Sequence, residues 1–210
     1  MLIAIVFHEV AHGWVANRLG DPTAARMGRL TLNPLAHIDL MGTILLPLLL
    51  IVANAPFLFG YAKPVPVNFL NLRNPKRDMI WVALAGPAMN LLLALAWIIT
   101  LKLFLPVLAH GAEAASTSSS VVEFFAPVAW MARNGVLINI VLAVFNALPL
   151  PPLDGGRVLV GLLPEPHSSL VARVEPFGFL ILIVLLMTRA LDRVIGPPIH
   201  FLVELYFGLL

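Results

Sequence analysis

The sequence has 210 residues, of which 60% are hydrophobic and only 11% charged, and its mean hydropathy is +0.95. A soluble domain carries about a quarter charged residues, so this composition excludes an ordinary soluble domain and predicts an integral membrane protein. The absence of cysteine excludes disulfides and cysteine-ligated metal sites, and a net charge of only +2 without a basic run does not favour nucleic-acid binding.

The first apolar segment, residues 1–19, spans roughly 28 Å as a helix, which is just enough to cross the hydrocarbon layer. It begins without the basic start and cleavage site of a signal peptide, so we expect that residues preceding Met1 are missing from this sequence. The segment ends at Gly20, Asp21 and Pro22, which are typical helix-terminating residues.

Two later stretches have patterns that are not helical. Residues 23–39 alternate around turn residues and predict a short β-hairpin. Residues 60–78 include Lys63-Pro64-Val65-Pro66-Val67-Asn68, where the prolines exclude a helix and predict extended backbone.

Four further apolar segments complete the chain, with a polar linker at 107–120 and a final segment, 199–210, expected at the membrane interface. The predicted fold is an all-α polytopic membrane protein with about five transmembrane helices plus a short membrane-associated β-hairpin or extended segment. A single domain is expected over residues 1–210. The four segments are 40–59, 79–106, 121–148 and 177–195.

The pattern His8-Glu9-Val10-Ala11-His12 indicates a metal site. Helix positions i and i+4 share a face, so both imidazoles can reach one ion. Glu9 lies about 100° around the helix, beside the metal, where it can take a proton from a metal-bound water. Placing one charged side chain near the bilayer centre costs about 2.5–3.5 kcal/mol of insertion free energy, so three ionisable residues within five positions need a reason. Metal ligation supplies one, and the alternative is a solvated polar patch near a helix end.

Two histidines leave a catalytic zinc one protein ligand short. Asp154 stands out because it directly follows an apolar segment, in a proline-broken stretch that survives at membrane depth only against protein or a wet cavity. Its alternative role is an Asx-type turn before two glycines. The other acidic candidates border the linker, lie in loops or come near the C-terminus: Glu113, Glu123, Glu165, Glu175, Asp192 and Glu204.

These motifs resemble the site-2 protease family of intramembrane zinc metalloproteases. The resemblance covers most of the chain, through His8-Glu9-x-x-His12 and residues 20–23, 28–34, 37–39, 62–68, 85–90 and 146–156. It implies His8, His12 and Asp154 as ligands of one zinc ion per chain, with Glu9 as the general base. It also implies a zinc buried on the cytoplasmic side, transmembrane substrates, and the compact bacterial or archaeal branch without a PDZ or CBS domain.

Two asparagines within the apolar segments are candidates for further roles. With the resemblance in view, we interpret Asn146 as a second catalytic residue that hydrogen-bonds the substrate carbonyl or the developing oxyanion. Its alternative is an interhelical hydrogen bond. Asn90 shares a stripe with Gly86 and Ala94, for which close helix packing and substrate contact are both considered.

The extended segments 26–32 and 63–68 could present an edge that pairs with an unwound substrate. This interpretation selects four candidate substrate-binding residues: Leu30, Thr31, Val65 and Val67.

The predicted function is intramembrane proteolysis of a transmembrane protein or peptide, of the regulated type, in the lipid bilayer of a prokaryotic cell membrane. One alternative is a non-catalytic zinc-binding membrane protein, either a transporter or an inactive scaffold. Another is a multi-span zinc peptidase with glutamate as third ligand, although no later span contains a well-placed glutamate. Basic residues weakly favour a cytoplasmic 60–78 loop whereas the resemblance favours the opposite, so the orientation stays open, as do the individual substrate and the oligomeric state.

Overall fold

The computed structural model describes residues 1–55, 60–113 and 119–210, which are predominantly helical. Short 3-10 turns lie at Pro34–His37 and Phe69–Asn71, and a π-helix, Leu40–Leu45, leads directly into α3. The α-helices of the described residues are α1 Leu2–Arg18, α2 Thr23–Arg26, α3 Leu46–Val52, α4 Pro75–Glu113, α5 Ser119–Asn146, α6 Asp154–Leu162, α7 His167–Ala172, α8 Glu175–Met187 and α9 Ala190–Phe207.

Among the described residues, two helices are long and apolar enough to cross a membrane by length and composition. They are Pro75–Pro106 within α4, with mean hydropathy 2.0, and Phe125–Asn146 within α5, with mean hydropathy 1.7. Both coincide with predicted apolar segments. The apolar helices Leu40–Val52 and Glu175–Met187 are shorter, so a five-span topology stays a prediction.

The central helix α4 organises the bundle. Its second half packs along α5 through a core in which Ala94, Ile98, Val136 and Ile140 are at most 2% exposed. Its first half contacts both α1 and α6, which do not follow one another in the chain. Because α1 and α6 share this neighbour, polar residues from the two ends of the sequence come together.

The predicted β-hairpin at residues 23–39 is not formed, since this segment contains no strand. This segment is linked to the 61–68 segment by one backbone hydrogen bond, from Lys63 N–H to His37 O at 2.9 Å, and by the Arg29 side chain. The Arg29 guanidinium donates to Ala36 O, to Lys63 O at 2.9 Å and to Pro64 O at 3.3 Å. The 61–68 segment is non-helical, as its prolines predicted.

The apolar segment 177–195 is not one helix, because the chain breaks between α8 and α9. Arg189 adopts the left-handed conformation, with φ of 54°. The break lets residues of α9 at helical spacing pack on the α4–α5 core. They are Ile199, Leu202, Val203 and Tyr206. The Tyr206 hydroxyl also donates to Leu91 O at 3.1 Å, so the 199–210 segment is part of the bundle.

Candidate metal centre

Helix α1 directs His8 and His12 to one point. The two residues are 6% and 8% exposed, and their Nε2 atoms lie 3.1 Å apart. Helix α4 approaches both rings closely at Gly86, where a Cβ atom would lie 2.3 Å from His12 Nε2 and 2.5 Å from His8 Cε1. The absence of a side chain at Gly86 is therefore a requirement for this arrangement.

Asp154 reaches the same point from the other end of the chain. It is the first residue of α6 and is 6% exposed, and its Oδ2 lies 3.2 Å from His8 Nε2 and 3.3 Å from His12 Nε2. A Cβ at the next residue, Gly155, would lie 2.1 Å from Ala147 O. A larger residue there would thus prevent the return of the chain after α5.

The outer nitrogens of both imidazoles face acceptors. His8 Nδ1 lies 2.6 Å from Asn90 Oδ1, and His12 Nδ1 lies 2.7 Å from Val82 O. A carbonyl oxygen only accepts, so each Nδ1 carries the proton and each Nε2 carries a lone pair. The lone pairs then point towards Asp154, whose buried Oδ2 has no hydrogen-bond donor among the described residues.

Two lone-pair nitrogens and a carboxylate oxygen repel one another unless a cation lies among them. Their three separations, 3.1, 3.2 and 3.3 Å, match the roughly 3.3 Å between neighbouring ligands of a tetrahedral ion bonded at about 2.0–2.1 Å. His8, His12 and Asp154 therefore form a group that could hold a metal ion, and its donor types and spacing fit zinc.

Glu9 lies on the adjacent face of α1 and is half-buried. Its Oε2 accepts a hydrogen bond from the backbone N–H of Val65 at 2.9 Å. Val65 is buried, and its side chain packs against α1 at Gly13. A Cβ atom added at Gly13 would lie only 2.6 Å from Val65 Cγ1. The non-helical 61–68 segment therefore covers α1 beside the histidines and holds the glutamate by one backbone donor.

The two candidate asparagines lie in different surroundings. Asn146 is the last residue of α5, and its Nδ2 donates to Leu142 O at 3.0 Å, within the same helix. Asn90 is fully buried, and both of its amide atoms bond within the protein, to His8 and to Asn139. Substrate contact at Asn90 would require release of one of these partners.

The candidate substrate-binding residues lie on two neighbouring segments. Leu30 packs beside Val65 at Gly13, where a Cβ would be 2.6 Å from Leu30 Cδ2. The Thr31 carbonyl accepts from His37 Nε2 at 2.8 Å. Val67 packs against the buried cluster that includes Val82. The side chains of Leu30, Val65 and Val67 thus pack on the rest of the protein.

Four of the other acidic candidates have described side chains, and none of the four joins the histidines. Glu165 lies 3.9 Å from Lys76, and Glu175 lies 3.9 Å from Arg157, both at the surface. Asp192 and Glu204 are exposed on α9. The side chains of two further candidates, Glu113 and Glu123, lie outside the described residues.

Two contacts that hold the site and its neighbouring loop were not predicted from the sequence. The Val82 carbonyl is a backbone group, so no residue type could indicate it. Asp21 is fully buried and accepts from the amides of Asn68 at 2.7 Å and Asn71 at 2.9 Å, and from Thr23. Burial alone would raise the pKa of Asp21, but these hydrogen bonds lower it below its usual value. The Asp-Pro-Thr sequence, a turn pattern, is the signal that could have indicated this anchor.

Comparisons with known proteins show what the chain is similar to. The model of peptidase family M50 matches residues 1–188. The chain is 38% identical over 203 residues to "Putative zinc metalloprotease YwhC" of Bacillus subtilis, covering 95% of this chain and 84% of that protein. It is 33% identical over 193 residues to "Putative zinc metalloprotease Rip2" of Mycolicibacterium smegmatis, covering 91% and 66%. It is 30% identical over 154 residues to "Putative zinc metalloprotease MJ0611" of Methanocaldococcus jannaschii, covering 73% and 63%. No solved structure matches the chain.

Proposed function

Because the chain belongs to peptidase family M50 and is a metalloprotease, we propose that it hydrolyses peptide bonds within transmembrane segments of its substrates. The observation that carries this proposal is the convergence of two imidazoles and one carboxylate inside a bundle with two helices of membrane-spanning length. A protease site enclosed by such helices is suited to substrates that already lie in the bilayer.

We assign His8, His12 and Asp154 as the protein ligands of one zinc ion. When bound, zinc lowers the pKa of a coordinated water towards about 7 and polarises the scissile carbonyl. The Asp154 carboxylate offsets part of the ionic charge, which would be costly if left uncompensated among apolar helices. The two histidine Nδ1–H bonds keep the Nε2 lone pairs directed at the ion.

Glu9 is proposed as the general base. The hydrogen bond from Val65 N–H holds its carboxylate beside the imidazoles, on a different face of α1 from the ligand nitrogens. Glu9 takes a proton from the attacking water and then passes it to the leaving nitrogen. At the end of α5, the Asn146 side chain is the proposed donor to the oxyanion.

A helical substrate engages its own carbonyl groups, so it must unwind before attack. We propose that the unwound chain lies along the two extended segments of the protease, through the backbone of Leu30, Thr31, Val65 and Val67. The packing of these segments on α1 supports this arrangement, because the Val65 N–H lies 2.9 Å from Glu9 Oε2 and the side chains of Leu30 and Val65 both pack at Gly13. Proline at Leu30 would remove a backbone donor and should weaken cleavage with zinc retained.

The proposed location is a prokaryotic cell membrane with the active site towards the cytoplasmic side. The relatives named above are bacterial and archaeal proteins, which supports the first part. The cytoplasmic side follows from the resemblance to site-2 proteases. A non-catalytic transporter or scaffold is not favoured, because the matched family is a peptidase family.

The test uses the purified chain in detergent or liposomes with a model transmembrane substrate. Chelation should abolish cleavage and added zinc should restore it. Glu9→Gln should keep zinc and reduce cleavage by at least about 100-fold. Glu204→Gln, an exposed change on α9, is the matched control. Substantial turnover by Glu9→Gln would contradict the proposed base, and cleavage only outside the membrane segment would contradict the proposed substrate class.

A further inference from the structure

A chain of hydrogen bonds runs from His8 through the centre of the bundle. His8 Nδ1 meets Asn90 Oδ1 at 2.6 Å, and Asn90 Nδ2 donates to Asn139 Oδ1 at 3.1 Å. Asn139 Nδ2 then donates to Gly135 O at 2.7 Å. The chain crosses from α1 to α4 to α5, and its two asparagines are 0% and 2% exposed.

The donor and acceptor roles along this series of hydrogen bonds are determined at its Gly135 end. Gly135 O is a backbone carbonyl and only accepts, so Asn139 must present its NH₂ group there and its oxygen to Asn90. Asn90 must then present its own NH₂ group to Asn139 and its oxygen to His8. That oxygen requires a proton on His8 Nδ1, and consequently a lone pair on Nε2.

We propose that Asn90 and Asn139 are positioning residues that select the metal-binding tautomer of His8. This inference rests on the proposed assignment of His8 as a zinc ligand. Asn139 acts through Asn90: without it, the Asn90 amide can turn over and present NH₂ to His8 Nδ1. His8 then carries its proton on Nε2, where it blocks a metal bond.

The second histidine provides an internal contrast. His12 Nδ1 bonds to the Val82 carbonyl, a backbone group that can only accept a hydrogen bond. Its tautomer is therefore determined by helix packing alone. The tautomer of His8 depends on two side chains and can be changed by substitution without moving α4.

The test measures zinc dissociation constants of the purified protein by competition with a chelator. Asn90→Leu should weaken zinc binding about 10- to 100-fold, and Asn139→Leu should weaken it by a smaller factor. In the Asn90→Leu background, Asn139→Leu should have no further effect, because its influence passes through the missing amide.

Replacement of the asymmetric amide by a symmetric group tests the orientation directly. Asn90→Asp offers His8 an oxygen whichever way the side chain turns, so it should retain zinc binding. Adding Asn139→Leu to Asn90→Asp should then leave the zinc dissociation constant unchanged. The matched control is Asn134→Leu on α5. Asn134 Nδ2 donates to Trp130 O at 2.8 Å, as Asn139 does to Gly135 O, but Asn134 is not part of the hydrogen-bond series that leads to His8.

The outcomes separate the inference from the proposed function. The positioning role would be overturned if the Asn90→Leu/Asn139→Leu double variant lost zinc affinity by the product of the two single losses. It would also be overturned if Asn139→Leu bound zinc with wild-type affinity. If His12→Ala and Asp154→Ala also bind zinc normally, the ligand assignment itself fails. Thermal unfolding of the metal-free variants monitors folding. If Asn90→Leu does not fold, the comparison of Asn90→Asp with and without Asn139→Leu still decides the test.

Discussion

The two sides of the centre are built from different kinds of structure. On the histidine side, the rings of His8 and His12 are held by acceptors from α4, all within the buried bundle. On the glutamate side, Glu9 is held by the N–H of Val65, in a non-helical segment between two prolines. A helical core cannot shift one residue without disturbing its packing, whereas a loop can. We therefore expect zinc binding and catalytic turnover to be separable by substitution.

The largest expected effect is on the histidine side, from Asp154→Ala. Loss of a direct ligand should weaken zinc binding by more than about 100-fold, beyond the usual effect of an outer-shell partner, and should abolish cleavage. Asp154→Glu should retain some metal with poorer geometry. Glu165→Ala, a surface change, is the control. Zinc content by elemental analysis is the measurement, and a full zinc complement in Asp154→Ala would leave Asp154 with only the turn role.

Gly86→Ala should damage the same side without removing a ligand. The added methyl group would meet both histidine rings at less than 3 Å. Overpacking of this kind costs about 1–3 kcal/mol, so both zinc affinity and the unfolding temperature should fall. Gly196→Ala is the matched control, since a Cβ there meets no atom within 4 Å. Equal behaviour of the two variants would show that the rings tolerate a displaced α4.

Val65→Pro should affect only the glutamate side. Proline removes the N–H that Glu9 accepts, and hydrogen bonds to charged groups contribute about 1.5–3 kcal/mol, so kcat should fall about tenfold or more. Zinc affinity should be unchanged. Val65→Ala keeps the N–H while reducing the packing at Gly13, and it should retain more activity. Equal losses of kcat in both variants would assign the effect to packing.

The smallest effect concerns the anchor of the loop at Asp21. Its pKa is lowered in the folded protein by bonds from Thr23, Asn71 and Asn68, so its stabilising contribution is complete above the ordinary carboxyl pKa of about 3.9. That contribution is lost as the pH falls through the lower folded value. Metal-free wild-type protein should therefore lose stability more steeply between pH 5 and 3 than Asp21→Asn, by about 1 kcal/mol. Parallel thermal unfolding curves would contradict this.

The sequence by itself determined the local features of this protein. The i, i+4 spacing of His8 and His12 requires only one helix, and the apolar lengths of α4 and α5 are properties of composition. Prolines excluded a helix at 63–68. These features follow from interactions between residues close in the chain, which periodicity reports directly. The same reasoning failed at 23–39 and at Arg189, because alternation does not specify a pairing partner and hydropathy does not register a turn between two apolar helices.

Only the tertiary structure decided which distant groups meet. His8 and Asn90 are 82 positions apart, and Glu9 and Val65 are 56 apart. The residues alone singled out Asp154 as an unusual acid after an apolar segment, and the resemblance implied that it joins His8 and His12. For Asn90 the sequence offered helix packing or substrate contact and did not indicate His8 or Asn139 as its partners. The Val82 carbonyl and the Val65 N–H could not be foreseen at all. Every residue has such groups, and only helix packing and loop placement determine which of them face a buried side chain that needs a partner.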